Sequence, residues 1–308
     1  MKNKKGELTT QQIVMLIVLI VSFAIILFFL FRLNLGKTTE DEVCHNSVVM
    51  KGNTALPEET VALNCKTSYV CLTKDGTCES MTQPEIEKVK DKDEVYEVLA
   101  NEMADCWWMF GEGKINYVGK KLTQRLHCSL CSQIAFDDSI DEDFFENREI
   151  NQREFYDYMA NNNVSGKEIN YLEYLQEIEQ VSVIEQTLAE EGSEFGKIDL
   201  DNRYYVMMGV YNDVSVSNWV VVGTVIAGGT AGIIAAIVAS PATGFTSLGA
   251  IPSIIFAVSS ATAGGIGGGY VGTTRKGESG NEYLRPTLVE VNSDVFKTFN
   301  CADIQTLA

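Results

Sequence analysis

One uncharged run constrains this chain more than any other feature. Sixteen of the nineteen residues from Ile13 to Phe31 are Ile, Leu, Val or Phe. A helix on the surface of a globular domain keeps a polar face, and this one has none for five turns. At about −0.3 to −0.6 kcal/mol each, its apolar side chains favour insertion into lipid by roughly 5 to 10 kcal/mol. At 1.5 Å per residue the run is about as long as the ~30 Å hydrocarbon core. The expectation is a transmembrane helix over 13–33 with the lipid bilayer as a partner. Lys2, Lys4 and Lys5 precede the run and Glu40-Asp41-Glu42 follow it. The positive-inside rule then places residues 1–12 in the cytoplasm and the bulk of the chain outside. The run exceeds a secretory signal's apolar core, and no small-x-small cleavage site follows, so it is expected to be retained.

Just before the run stands Lys5-Gly6-Glu7-Leu8-Thr9-Thr10-Gln11. This stretch resembles the class III signal of archaeal type IV pilin-like proteins. The resemblance implies cleavage between Gly6 and Glu7, with the apolar helix kept on the mature chain. Gln11 stands where the family has an acidic residue, and the likeness covers about ten residues.

Between the apolar run and the C-terminal third, the chain is strongly acidic. Residues 34–213 carry 36 Asp and Glu against 16 Lys and Arg. Nucleic acid is excluded as a partner, because its phosphates are held by Lys and Arg.

Eight cysteines stand at Cys44, Cys65, Cys71, Cys78, Cys106, Cys128, Cys131 and Cys301, none of them inside an apolar segment. An even set in a chain assigned to the outside predicts structural disulfides, with 105 possible connectivities. Zinc competes through His127-Cys128-Ser129-Leu130-Cys131 and Cys44-His45, but a second C-x-x-C is missing. Redox chemistry at Cys128 and Cys131 is a third reading. It suffers because Gln133–Phe136, just downstream, reads as strand rather than helix. His45 and His127 are the only histidines, and no cofactor is expected.

Residues 34–84 form a cysteine-rich segment, and 85–213 an acidic α+β domain. Glu85 to Phe110 reads as helix, since Val95, Val98, Leu99, Met103, Cys106, Trp107 and Phe110 recur mostly at threes and fours. Gly111 and Gly113 end it. Of Trp107 and Trp108, one is expected inside and one near the surface. Asp137 to Asp143 invites calcium but lacks the D-x-D-x-D-G spacing, which favours a solvated loop. Gln152–Met159 and Lys167–Gln180 are expected helical, around Asn163-Val164-Ser165, a formal glycosylation sequon. Arg203–Tyr211 is rich in strand formers and is expected to pair with 133–136.

No charged residue occurs from Val214 to Thr274. Small residues recur there at every fourth position: Gly228, Gly232, Ala236 and Ser240, then Ser260, Gly264, Gly268 and Gly272. On a helix such spacing forms a smooth ridge that lets backbones approach, the small-xxx-small pattern of membrane helix pairs. A glycine-rich helical hairpin over 214–272, crossing the membrane twice, is therefore expected, with a tail over 273–308 outside.

These expectations sum to a membrane-anchored structural or interaction protein of the cell surface. It is not an enzyme, and it self-associates or joins other membrane proteins. A pilin-like subunit processed after Gly6 and a pore-forming protein using the glycine-rich hairpin are the alternatives.

Overall fold

The computed structural model describes residues 10–32, 35–52, 62–119, 126–190, 195–211, 231–238, 253–262, 265–276, 281–293, 296–297, 299, 301 and 303–305. Its frame is a mixed sheet centred on β3 (His127–Phe136), a ten-residue strand with nine of its side chains buried. β1 (Ser68–Thr73) and β2 (Glu85–Lys88) lie to one side of β3, both parallel to it. To the other side lie β6 (Tyr204–Tyr211) and β10 (Glu282–Glu290), each antiparallel to its neighbour. Five strands thus carry the domain, and residues 68 to 290 supply them.

The sheet continues through β7 (Ala231–Val238), β8 (Ser253–Thr262) and β9 (Gly265–Lys276), in the order β2-β1-β3-β6-β10-β9-β8-β7. A last strand, β11 (Asp303–Gln305), pairs parallel with His127–Ser129 of β3, in line with β1 on the same edge. A separate two-stranded ribbon joins β4 (Glu149–Asn151) to β5 (Lys197–Asp199).

Helix α3 (Lys92–Met109) covers one sheet face and packs on β6 and β10. Val95, Leu99, Met103, Cys106 and Trp107 point inward to Ile134, Val206, Met208 and Tyr283. Each such side chain, fully withdrawn from water, stabilises the fold by about 1.5 to 3 kcal/mol. Asp91 starts α3 by accepting the Glu94 backbone N–H at 3.0 Å, which satisfies one orphan donor of the first turn. Gly111, Glu112 and Gly113 end it with three consecutive positive φ angles, a path that glycine tolerates at little steric cost. α4 (Gln152–Asn161), α5 (Tyr171–Gln176) and α6 (Val181–Glu190) complete the layer. Asn151 and Asn170 cap the first two in the same way as Asp91. At Gly209 of β6 a Cβ would lie 2.4 Å from Leu126 Cδ1 and 2.9 Å from the His127 carbonyl. Only glycine lets β6 run this close.

Three expectations are corrected. The first is the transmembrane helix. Thr10–Arg32 does form a helix, α1, but among the described residues no helix is long and apolar enough to cross a membrane. The apolar side chains described there run from Ile13 to Phe28.

The second correction is the helical hairpin. Where 214–272 is described it is strand, not helix. Gly232 and Ala236 lie on β7, Ser260 on β8, and Gly268 and Gly272 on β9. Gly228, Ser240 and Gly264 fall outside the described residues. The misleading cue was the spacing itself. Four is an even number, so an i, i+4 series stays on one face of a strand as well as on one face of a helix. Gly232 opposes Ser259, which opposes Gly269, whereas Gly272 opposes Phe256. The two series therefore occupy opposite sheet faces and form no common ridge. Each glycine also costs a helix about 1 kcal/mol, while Ile, Val and Thr between them favour a pleated surface.

The third correction is local. Glu85–Lys88 is strand β2 rather than the first turn of α3. Its charged, alternating sequence carries no apolar stripe that would have announced it.

The cysteine-rich segment 34–84 also holds a helix, α2 (Leu35–Gly52).

Candidate functional site

All eight cysteines are joined, as Cys44–Cys65, Cys71–Cys78, Cys106–Cys131 and Cys128–Cys301. The first bond ties α2 to the strand-bound chain after it, and Ser47 supports the junction by donating to the Cys44 carbonyl and accepting from the Asn64 N–H. Cys131 is bonded to Cys106 of α3 and belongs to the core beneath that helix. Cys128, three residues earlier on β3, is bonded to Cys301 beside β11. An odd spacing on a strand sends the two cysteines to opposite faces. The C-x-x-C therefore does not close on itself and has no free thiol for exchange. His127, the proposed zinc neighbour, is itself buried beside these bonds.

A cleft of about 540 Å³ opens between α2, α3, β2 and the turn at Ser165. Five carboxyl side chains line it: Asp41 and Glu42 from α2, Glu87 from β2, and Glu102 and Asp105 from α3. Glu102 and Asp105 stand three positions apart on α3 and so share one side of that helix, while α2 and β2 bring the other three.

Trp108 forms one wall. The indole is half-buried and Trp107 is fully inside, so the tryptophan pair divides as the sequence suggested. The His45 ring stacks on Trp108 with centroids 4.3 Å apart and planes 10° apart. Its Nδ1 lies 2.8 Å from the Trp108 carbonyl oxygen. Because a carbonyl only accepts, Nδ1 carries the proton in this contact. His45 is thus a packing element between α2 and α3. No signal in the sequence placed it against Trp108, since the partners are 63 positions apart.

Such a cleft attracts cations, and its field repels phosphates and other anions. Among the described residues its lining includes one hydroxyl, Ser165, and no cysteine, histidine or lysine. Among the described residues no group of His, Cys, Asp and Glu is arranged to hold a metal ion. The acidic loop after β3 is occupied locally instead. Asp137 accepts the backbone N–H groups of Ser139 and Glu79, and Asp141 accepts that of Asp143.

Glu112 is the most constrained carboxylate. Lys114 Nζ, Lys167 Nζ and Tyr174 Oη donate to it at 2.7, 3.0 and 2.7 Å. Partial burial pushes its carboxyl up, but these hydrogen bonds and the Lys167 charge outweigh burial and hold it at about 2. Burial and the Glu112 charge together push the Tyr174 phenol up. The cluster pins the turn after α3 to α5.

Asn163 of the sequon is exposed and forms an isolated bridge with Asn170. The signal-like residues Gly6 and Glu7 lie outside the described residues. No protein-family model, curated protein or solved structure matches this chain.

Proposed function

We propose that this chain is a structural or interaction protein working outside the reducing cytoplasm, held at a lipid surface through α1 and assembled into oligomers. The observation that carries this reading is the consumption of every cysteine in four disulfides. Such bonds persist where no thiol pool reduces them. Their placement supports a mechanical rather than a chemical role, because they tie α3 and the segment beside β11 to β3, and α2 to the chain leading into β1, and leave no thiol to react. The large apolar side chains from Ile13 to Phe28 of α1 are all exposed, which suits apolar surroundings rather than water. The acidic bulk keeps the folded part off anionic headgroups.

The test is alkylation of intact cells with a membrane-impermeant maleimide, before and after reduction, followed by fractionation. Labelling that appears only after reduction, on protein that sediments with membranes, is the expected result. Free thiols without reduction, or protein recovered wholly in the cytosolic fraction, would sink the proposal.

A further inference from the structure

Three consecutive asparagines close helix α4, and their side chains are used differently. Asn161 and Asn162 turn their amides back and donate to the Asp157 and Tyr158 carbonyl oxygens at 2.7 and 2.9 Å. Asn163 is exposed, and among the described residues its amide makes no such bond. It also opens Asn163-Val164-Ser165, the one Asn-x-Ser/Thr triplet in the chain.

The triplet alternates as a strand does. Val164 is buried, while Asn163 and Ser165 on either side of it are exposed. An antiparallel bridge between Asn163 and Asn170 holds the entry, and the Val164 N–H donates to the Ile169 carbonyl oxygen at 2.9 Å. The Lys167 N–H then donates to the Val164 carbonyl oxygen at 2.9 Å, closing a four-residue turn with Gly166 at a φ of 73°. Ser165 to Glu168 are all exposed, and a Cβ at Gly166 would meet no atom within 4 Å. The triplet thus enters a surface turn that one apolar side chain anchors and that is open on its outer side.

We propose that Asn163 is an acceptor for N-linked glycosylation. This goes beyond the proposed function but rests on its placement of the chain outside the reducing cytoplasm. The donor is an oligosaccharide joined through phosphate to a membrane lipid, which a chain held at a lipid surface meets on its own membrane. In the transfer Asn163 Nδ2 attacks the anomeric carbon, so a C–N bond forms as the anomeric C–O bond breaks. The lipid phosphate leaves with the electron pair, and the amide gives up one proton to it. With Val164 turned inward, the acceptor amide and the Ser165 hydroxyl are both accessible, so one enzyme can grip the hydroxyl while it loads the amide. A bulky, hydrophilic sugar at this turn displaces no packed side chain.

The experiment uses the full chain purified from the cells that make it, with peptides mapped by tandem mass spectrometry and disulfides read without reduction. The expected result is an oligosaccharide on Asn163. It should be lost in Asn163→Gln and in Ser165→Ala, and retained in Ser165→Thr and in the control Asn161→Gln. These variants change exposed side chains, and intact disulfides confirm that they fold. An unmodified Asn163 in a chain with its four disulfides formed overturns the acceptor assignment while leaving the compartment standing. An unmodified Asn163 together with free thiols overturns both. A sugar that persists in Asn163→Gln or in Ser165→Ala would also overturn the assignment.

Discussion

The guanidinium of Arg285 on β10 has no exposed surface, and its Nη2 lies 2.6 Å from the Glu177 carboxylate. Nη1 also donates to the Leu175 carbonyl oxygen at 3.2 Å, and the Trp107 ring stands 5.8 Å from the guanidinium carbon. The pair joins the C-terminal end of α5 to the sheet. Glu177 takes a positive φ of 52° at that helix end. Removing the carboxylate from a desolvated cation is expensive, while replacing both partners by apolar groups is much less so. Glu177→Ala should therefore destabilise by about 3 kcal/mol. Arg285→Met combined with Glu177→Ala should cost less than Glu177→Ala alone. Glu177→Gly should recover about 1 kcal/mol of the loss, because glycine relaxes the left-handed backbone. Urea unfolding of the three variants reads the order directly.

Glu112 makes stability depend on acid. Its carboxyl sits at about 2 in the folded chain, below the ordinary 4.5. A depressed carboxylate contributes stability that is fully present above its unfolded value and is lost as pH falls through the folded one. Unfolding midpoints should thus drop between about pH 4.5 and pH 2. Glu112→Gln should flatten that slope and lower the midpoint at neutral pH. An unchanged slope in the variant would show that other carboxylates govern the acid limb.

The disulfides should not contribute equally. Cys128–Cys301 spans 173 positions and Cys71–Cys78 only 7. In the chain-entropy account these correspond to about 5 and about 2 kcal/mol. Paired serine replacements at Cys128 and Cys301 should therefore lower the denaturation free energy about twice as far as those at Cys71 and Cys78. Calorimetry under non-reducing conditions measures both.

Ser132 faces the core from β3, fully buried, and among the described residues its Oγ finds no hydrogen-bond partner. An unsatisfied hydroxyl there costs about 1 to 3 kcal/mol of desolvation. Ser132→Ala should leave stability unchanged or raise it by up to about 1 kcal/mol. A clear loss would mean that the hydroxyl has a partner in solution, such as a buried water.

The sequence made some of this legible and hid the rest for identifiable reasons. The disulfides followed from an even cysteine count, but their connectivity depends on which strand faces meet, which no local pattern encodes. The apolar residues of α3 recur at helical spacing and Gly111 and Gly113 mark its end, so its existence and C-terminus were readable, whereas the helix begins at Lys92 and not at Glu85. The pairing of β6 with β3 was readable from aromatic and β-branched residues. Charged β2 was not, because its partner β1 rather than its own pattern makes it a strand. The glycine-rich region misled because period four is shared by helix and strand, and β-branched residues decided the contest. The acidic cleft was legible only as the polar stripe of α3. Its second wall, with His45 against Trp108, depends on the placement of α2.

The strand β11 has a consequence for how the molecule is made. Among the described residues, His127–Ser129 finds its neighbour on that edge in Asp303–Gln305, and Cys128 is bonded to Cys301. A ribosome therefore delivers the middle strand of the sheet long before the segment that completes it. Contacts so distant in sequence form slowly, since loop closure precedes any gain from them. A nascent chain would present a bare strand edge and a reactive thiol together during that interval. Completion of this edge thus waits for Asp303–Gln305 and Cys301, and its yield should depend on the oxidant present when they emerge.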